Sequence, residues 1–185
     1  MEQFCICTDG FIFETIVESC RSGKCEILKH ILDRLRLLLR GDGLSPSVLM
    51  LGDGSGGDTL AVWREFGEAL SVYYFDLPGS RTFEFAMNRF SKYAVPCKIL
   101  NKYEQIPRVH FDAVISLEVL EHLPDPNAAI YDMWGFLKPG GIALVTESFN
   151  GVQSRFPTHL YENATIRRGD RAHVCTRGNV FILAA

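Results

Sequence analysis

From Phe11 to Arg40 apolar residues recur at three- and four-residue steps, at Ile27, Leu28, Ile31, Leu32, Leu35, Leu38 and Leu39. That period predicts a helix with one stripe on a core, while Lys24, Lys29, Arg34, Arg36 and Arg40 lie mostly off it. Gly41-Asp42-Gly43 stops the helix and Pro46 opens a new segment. Beyond it the pattern changes to short apolar runs separated by turns and helical stretches. Ser47–Leu51 is continuously apolar after its first residue, which fits a strand buried on both faces of a parallel sheet. A helix follows over about 58–66, a strand over 69–75, a turn at Leu77-Pro78-Gly79, and a helix over 81–91. Strands are predicted at 97–100, 111–116 and 142–146. The polar connection 101–109 leaves little room for a full helix, and 118–123 reads as a loop or single turn. Asp125-Pro126 is a helix start, a capping residue before proline, and that helix ends at Lys138-Pro139-Gly140-Gly141. Strand and helix alternate from 47 to 146, which predicts an α/β fold: a doubly wound, mainly parallel sheet in three α/β/α layers. After Glu147 the order fades, and 174–176 and 180–183 are weak candidates for strand or helix. The chain divides into an N-terminal helical segment, 1–46, a core, 47–148, and a C-terminal segment, 149–185.

Composition narrows the picture little. At 185 residues the chain suits one domain with a sizeable core, and 47% apolar with 22% charged residues is ordinary for a globular protein. A net charge of -3 gives no global pull toward nucleic acid or an anionic membrane. Arg167, Arg168, Arg171 and Arg177 make the tail locally basic, as a solvated face. No run approaches the ~18 apolar residues of a membrane span, and the N-terminus lacks the marks of a signal peptide. Cys5, Cys7, Cys20, Cys25, Cys97 and Cys175 match no zinc spacing and read as reduced thiols of a cytoplasmic protein.

The candidate chemistry lies in the loop after the first strand. Four glycines stand in Gly52-Asp53-Gly54-Ser55-Gly56-Gly57, with a helix opening behind them. Glycine lets a ligand approach the main chain closely, and a helix start points free N–H groups into the loop. Gly52-x-Gly54-x-x-Gly57 is the dinucleotide spacing, and Asp76 stands about 20 residues on, where a carboxylate can accept both ribose hydroxyls. The same loop reads Gly52-x-Gly54-x-Gly56, the spacing that favours S-adenosylmethionine. Glycine spacing alone leaves NAD and S-adenosylmethionine both open.

The downstream segments separate them. Val48–Gly56 resembles the first motif of the class I S-adenosylmethionine-dependent methyltransferases, of the type 11 or type 12 kind. Phe111-Asp112-Ala113-Val114-Ile115-Ser116 resembles their fourth-strand motif, and Glu118–Pro126 and Leu137–Gly141 are similar to the segments that follow. The resemblance covers about residues 25–148. It implies that Gly52, Gly54 and Gly56, with Asp53 and Ser55 between them, pass close to the cofactor. It implies that Asp76 and Leu77 hold the ribose edge, that Asn101 lies near the adenine, and that Leu117 and Glu118 flank the methionine end and the acceptor. Two positions depart from the family. Met50 replaces the usual acidic residue two before the first glycine, and Asp53 stands where a cysteine or small residue is common. Asp53 either supplies the missing carboxylate or caps the following helix.

Glu118, Glu121 and His122 stand at i, i+3 and i+4, which on a helical turn share one face. This resembles a divalent-cation site of some methyltransferases, completed by a later histidine such as His159 or His173, and the alternative is that His122 packs and bonds the loop backbone. His122, His159, Glu118 or Glu147 are the candidates to take an acceptor's proton. Phe156–Asn163 falls where the family places acceptor-binding residues. The family continues past strand five with a helix and an antiparallel strand pair, so the weakly patterned residues 149–185 read as incomplete. The resulting expectation is a methyltransferase for a small molecule, with a non-catalytic cofactor-binding homologue and an NAD-dependent oxidoreductase as alternatives.

Overall fold

The computed structural model describes residues 22–39, 45–146, 175–177 and 180–184. Predicted features at 1–21, 40–44 and 147–174, including the helix-stopping glycines, Glu147, His159 and His173, lie outside the described residues.

Helix α1, Ser22–Leu38, buries Ile31 and Leu35 against the sheet, while Leu39 at the predicted stripe's end is 37% exposed. Strand β1, Ser47–Leu51, is followed by α2, Gly57–Phe66, β2, Ser71–Phe75, α3, Arg81–Lys92, and β3, Lys98–Leu100. Connection 101–109 holds one short 3-10 turn, Tyr103–Gln105, as its length requires. Then come β4, Phe111–Leu117, α4, Pro126–Phe136, and β5, Leu137–Thr146.

The sheet order is β3-β2-β1-β4-β5, all parallel, extended by β7, Val180–Ala184, and β6, Cys175–Arg177. Strand β7 runs antiparallel to both β5 and β6. Strands β6 and β7 thus form an antiparallel pair at the β5 edge, where the sequence pattern is weak. The apolar run Val180–Ala184 satisfies β5's edge through pairs from Ile142↔Ala184 to Thr146↔Val180.

Both faces of the sheet are covered, as the uninterrupted apolar β1 demands. On one face Val48, Met50, Ala113, Ile115 and Leu144 pack with α1 and with Val62 of α2. On the same side Tyr74 packs with Leu60 of α2 and Ala86 and Phe90 of α3. The opposite face buries Leu49, Leu51, Val114 and Val145 against Met133 and Phe136 of α4. The layers are thus α/β/α.

One local reading is corrected. Lys138–Gly141 does not simply end α4, because Leu137 already pairs with Phe111 and the register slips before Ala113↔Ile142. Gly141 sits in that bulge, where a Cβ would meet the Lys138 carbonyl at 2.9 Å and the Phe111 carbonyl at 3.0 Å. Lys138 folds back so that its Nζ donates to Asp112 Oδ2 at 2.8 Å, an oxygen that also accepts from the Ser47 N–H at 2.7 Å.

Candidate functional site

The strand order reverses between β1 and β4, and the chain leaves both at their carboxyl ends. In open α/β sheets that switch point is where a crevice forms. The loops after β1, β2, β3 and β4 bring Gly52–Gly56, Asp76 with Leu77, Asn101, and Leu117 with Glu118 to this one edge.

The three glycines serve different ends. Gly52 lies under the β4 loop: a Cβ there would stand 2.6 Å from Val119 Cγ2. Gly56 (φ 69°) lies against α3, and its Cβ would stand 2.5 Å from Phe90 Cζ. Gly54 is different. Its φ is 48°, and the nearest atom to its missing Cβ is Asp76 Oδ2 at 4.0 Å. Room beside the loop is therefore left at Gly54, which is itself buried, next to the predicted ribose-binding carboxylate, whereas a Cβ at Gly52 or Gly56 would meet the protein's own side chains.

Asp76 is buried and aimed into the loop. Its Oδ2 accepts from the Gly54 N–H at 2.5 Å, and its Oδ1 accepts from the Leu77 N–H at 2.6 Å. Burial raises its pKa above the usual carboxylate value, and the two N–H donors oppose the rise. Each carboxylate oxygen has further acceptor capacity, so Asp76 could also receive hydroxyls from a ligand lying over Gly54. The residues present thus fit a ribose-bearing ligand: a glycine main chain with room at its missing side chain, next to a carboxylate.

Asp53 resolves into one of its two expected roles. Its Oδ1 accepts from the Asp58 N–H at 3.1 Å and its Oδ2 from the Thr59 N–H at 2.7 Å, so it caps α2. Burial, and then the nearby Asp58 charge, push its pKa up to about 7 against the opposing N–H bonds. Met50 is fully buried between Tyr74 and Ile115 of the neighbouring strands and offers no polar group. Ser55 turns toward α3, where its Oγ accepts from Arg89 Nη1 at 3.4 Å. Leu77 is 44% exposed, Asn101 is exposed, and Leu117 is half-buried beside Thr146.

The helical face expected for Glu118, Glu121 and His122 is not formed. Glu118 has a left-handed backbone, φ 55°, and its N–H donates to the Thr146 carbonyl of β5 at 3.0 Å. A 3-10 turn, Leu120–His122, follows, and Glu121 is 1% exposed. The reversal at Glu118 breaks the i, i+3, i+4 relation, and no cluster of three His, Cys, Asp or Glu is placed to hold a metal ion among the described residues. The His122 N–H donates to the Val119 carbonyl at 3.0 Å, part of the turn that follows Glu118.

Two contributors were missed by sequence reasoning. Tyr74 reads as an ordinary buried strand residue, yet its hydroxyl donates to the Gly54 carbonyl at 2.6 Å. Val119 gave no chemical signal at all. Tyr74's spacing two before Asp76 was the only clue, since i and i+2 share a strand face.

Comparison with known proteins agrees with this geometry. The methyltransferase domain family matches residues 49–145. A polyketide synthase-nonribosomal peptide synthetase of Aspergillus clavatus is 32% identical over 117 residues, covering 60% of this chain and 3% of that protein. Phosphoethanolamine N-methyltransferase 2 of Caenorhabditis elegans is 27% identical over 144 residues, 71% of this chain and 32% of that one. The chain thus spans a third or less of these relatives. An S-adenosylmethionine-dependent methyltransferase from Aquifex aeolicus shares the fold, with a TM-score of 0.55 at 17% identity over 71% of this chain and 70% of that one. The family match covers the stretch from β1 through β5 that builds the Gly54–Asp76 crevice, and on it the chain belongs to the class I, Rossmann-like S-adenosylmethionine-dependent methyltransferases.

Proposed function

We propose that this chain transfers a methyl group from S-adenosylmethionine to a small-molecule acceptor. The observation that carries the reading is the room left by the missing side chain of Gly54 beside the buried Asp76 carboxylate. When bound, the cofactor supplies a methyl already activated on a cationic sulfonium. The protein's part is then mainly to position, which can supply ~7–11 kcal/mol of barrier reduction. In this reading Asp76 receives the ribose hydroxyls with Leu77 at the ribose edge, Asn101 lies near the adenine, and Leu117 and Glu118 border the methionine end. Glu118 or His122 takes the proton of a hydroxyl or thiol acceptor. The net charge of -3 and the Caenorhabditis elegans relative, named for a small amine, support a small acceptor over nucleic acid. The free Cys97 thiol fits a reducing, cytoplasmic setting, and no helix among the described residues is long and apolar enough to cross a membrane.

Calorimetry with S-adenosylmethionine, S-adenosylhomocysteine and NAD tests the cofactor assignment. Tight binding of the first two and none of NAD is expected, and Asp76→Ala should weaken them by about 10- to 100-fold, the worth of hydrogen bonds to a charged group. An Asp76→Ala variant that binds as tightly as wild type overturns the ribose assignment. A methyl-transfer assay over a metabolite panel, with and without EDTA, tests the reaction. EDTA-insensitive transfer is expected, and binding without transfer to any acceptor would leave a cofactor-binding module.

A further inference from the structure

Strand β2 does more than lead into Asp76. Tyr74, in the strand, and Asp76, just past its end, both reach Gly54. Between them they hold both peptide units that flank Gly54. Asp76 Oδ2 accepts from the Gly54 N–H at 2.5 Å, and the Tyr74 hydroxyl donates to the Gly54 carbonyl at 2.6 Å. The first contact restrains rotation about N–Cα and the second restrains rotation about Cα–C. Gly54 is otherwise the residue type with the widest torsional freedom. It is also the one glycine of the three whose missing side chain leaves space. Tyr74 has no freedom of its own to follow a moving loop. It is 0% exposed, and its ring stands edge-on to Phe90 at 5.0 Å and tilted against Phe83 at 6.0 Å, both from α3.

We propose that Tyr74 is a positioning residue for the cofactor: its hydroxyl, acting with Asp76, sets the Gly54 backbone so that the room at its missing side chain stays turned toward the ribose. The proposal rests on the cofactor reading above. It predicts that a loop prepared in advance binds more tightly than one that must be ordered on binding.

The test compares Tyr74→Phe with Tyr73→Phe. Tyr73 sits on the other face of β2, where its hydroxyl meets His110 Nε2 at 3.0 Å and Lys98 Nζ at 2.9 Å. Both variants lose one hydroxyl and keep the ring. Tyr74→Phe should raise the S-adenosylhomocysteine Kd by about 5- to 50-fold, in keeping with a buried carbonyl left unmatched. It should also speed amide exchange at Gly54 in the ligand-free protein, with Tyr73→Phe doing neither. Equal binding by folded Tyr74→Phe and wild type overturns the proposal, as does an equal loss in Tyr73→Phe. If Tyr74→Phe fails to fold, wild type alone decides: its ligand-free Gly54 amide must exchange as slowly as that of Leu51, and fast exchange refutes a pinned loop. Failure of wild type to bind S-adenosylhomocysteine would instead strike the cofactor reading and leave the exchange result standing.

Discussion

Adding one methyl group at Gly56 or at Gly54 should produce opposite failures. In Gly56→Ala the new Cβ would lie 2.5 Å from Phe90 Cζ, 2.6 Å from Phe90 Cε1 and 3.1 Å from Ala86 Cβ. Phe90 and Ala86 are buried between α3 and the sheet, so neither can swing aside freely. Overpacking of this kind costs about 1–3 kcal/mol, and a left-handed backbone at a residue with a Cβ adds about 1–2 kcal/mol. Together that is roughly 2–5 kcal/mol, a large share of the ~5–15 kcal/mol that holds a domain folded. In Gly54→Ala the backbone term remains, about 1–2 kcal/mol, but the only neighbour is Asp76 Oδ2 at 4.0 Å. The protein should fold, and the methyl should stand where the ligand approaches, weakening S-adenosylhomocysteine by at least ~10-fold, or about 1.4 kcal/mol. Urea unfolding of each variant and calorimetry on the folded one read the two effects separately. A Phe90→Leu change placed on Gly56→Ala should recover part of the loss, with a coupling of about 0.5–3 kcal/mol. The reasoning is refuted if Gly56→Ala unfolds within ~1 kcal/mol of wild type, if its effect simply adds to that of Phe90→Leu, or if Gly54→Ala binds as wild type does.

Two further outcomes follow from the caps. Asp53 is raised from 3.8 to about 7 in the folded chain, so the folded state holds a proton that the unfolded state has released between those values. Its stabilising contribution is full below pH ~4 and is lost as pH rises through about 7, by at most roughly 4 kcal/mol. Asp53→Asn, which cannot ionise, should flatten the decline in urea midpoint between pH 5 and 8, and an unchanged slope would place the titration elsewhere. Ser80 caps α3 by accepting from the Phe83 N–H at 3.1 Å, so Ser80→Ala should lower stability by about 1 kcal/mol while leaving S-adenosylhomocysteine affinity unchanged; a change in affinity without a change in stability would contradict that role.

What the sequence reveals tracks how local each cause is. The β1 run, the glycines behind it and Asp76 are visible because a buried parallel strand and a bare loop require those residue types within a few positions. The start of α4 is visible for the same reason, and Asp125 Oδ1 accepts from the Ala128 N–H at 2.9 Å with Pro126 in the first turn. The Tyr74–Gly54 bond joins residues 20 apart, and a tyrosine in a strand carries no sign that its hydroxyl has found a loop carbonyl. The Glu118 turn is hidden because nothing in a glutamate foretells a left-handed backbone; the acceptor for its N–H, the Thr146 carbonyl, comes from a strand formed later in the chain. Strands β6 and β7 read weakly since a three-residue strand has hardly a period to show, and it is β5's edge that gives β7 its partner.

The two departures from the family pattern converge on Asp76. With Met50 in place of the usual acidic residue, the end of β1 contributes packing and no charge. Asp53 cannot make up for it, because its two oxygens already accept the first free N–H groups of α2, and turning it toward a ligand would unsatisfy both. Its pKa of about 7 points the same way, since a carboxyl that resists ionisation is a poor partner for a cofactor's ammonium group. Asp76 differs in that its two backbone bonds run to Gly54 and Leu77, beside the room left at Gly54. A ligand settling there meets those contacts without breaking a helix cap. Affinity in this chain should therefore depend on the ribose end more than on the amino-acid end. Adenosine should retain most of the binding free energy of S-adenosylhomocysteine, and a loss of affinity greater than ~100-fold on removing the amino-acid tail, about 2.7 kcal/mol, would show that another group holds that end.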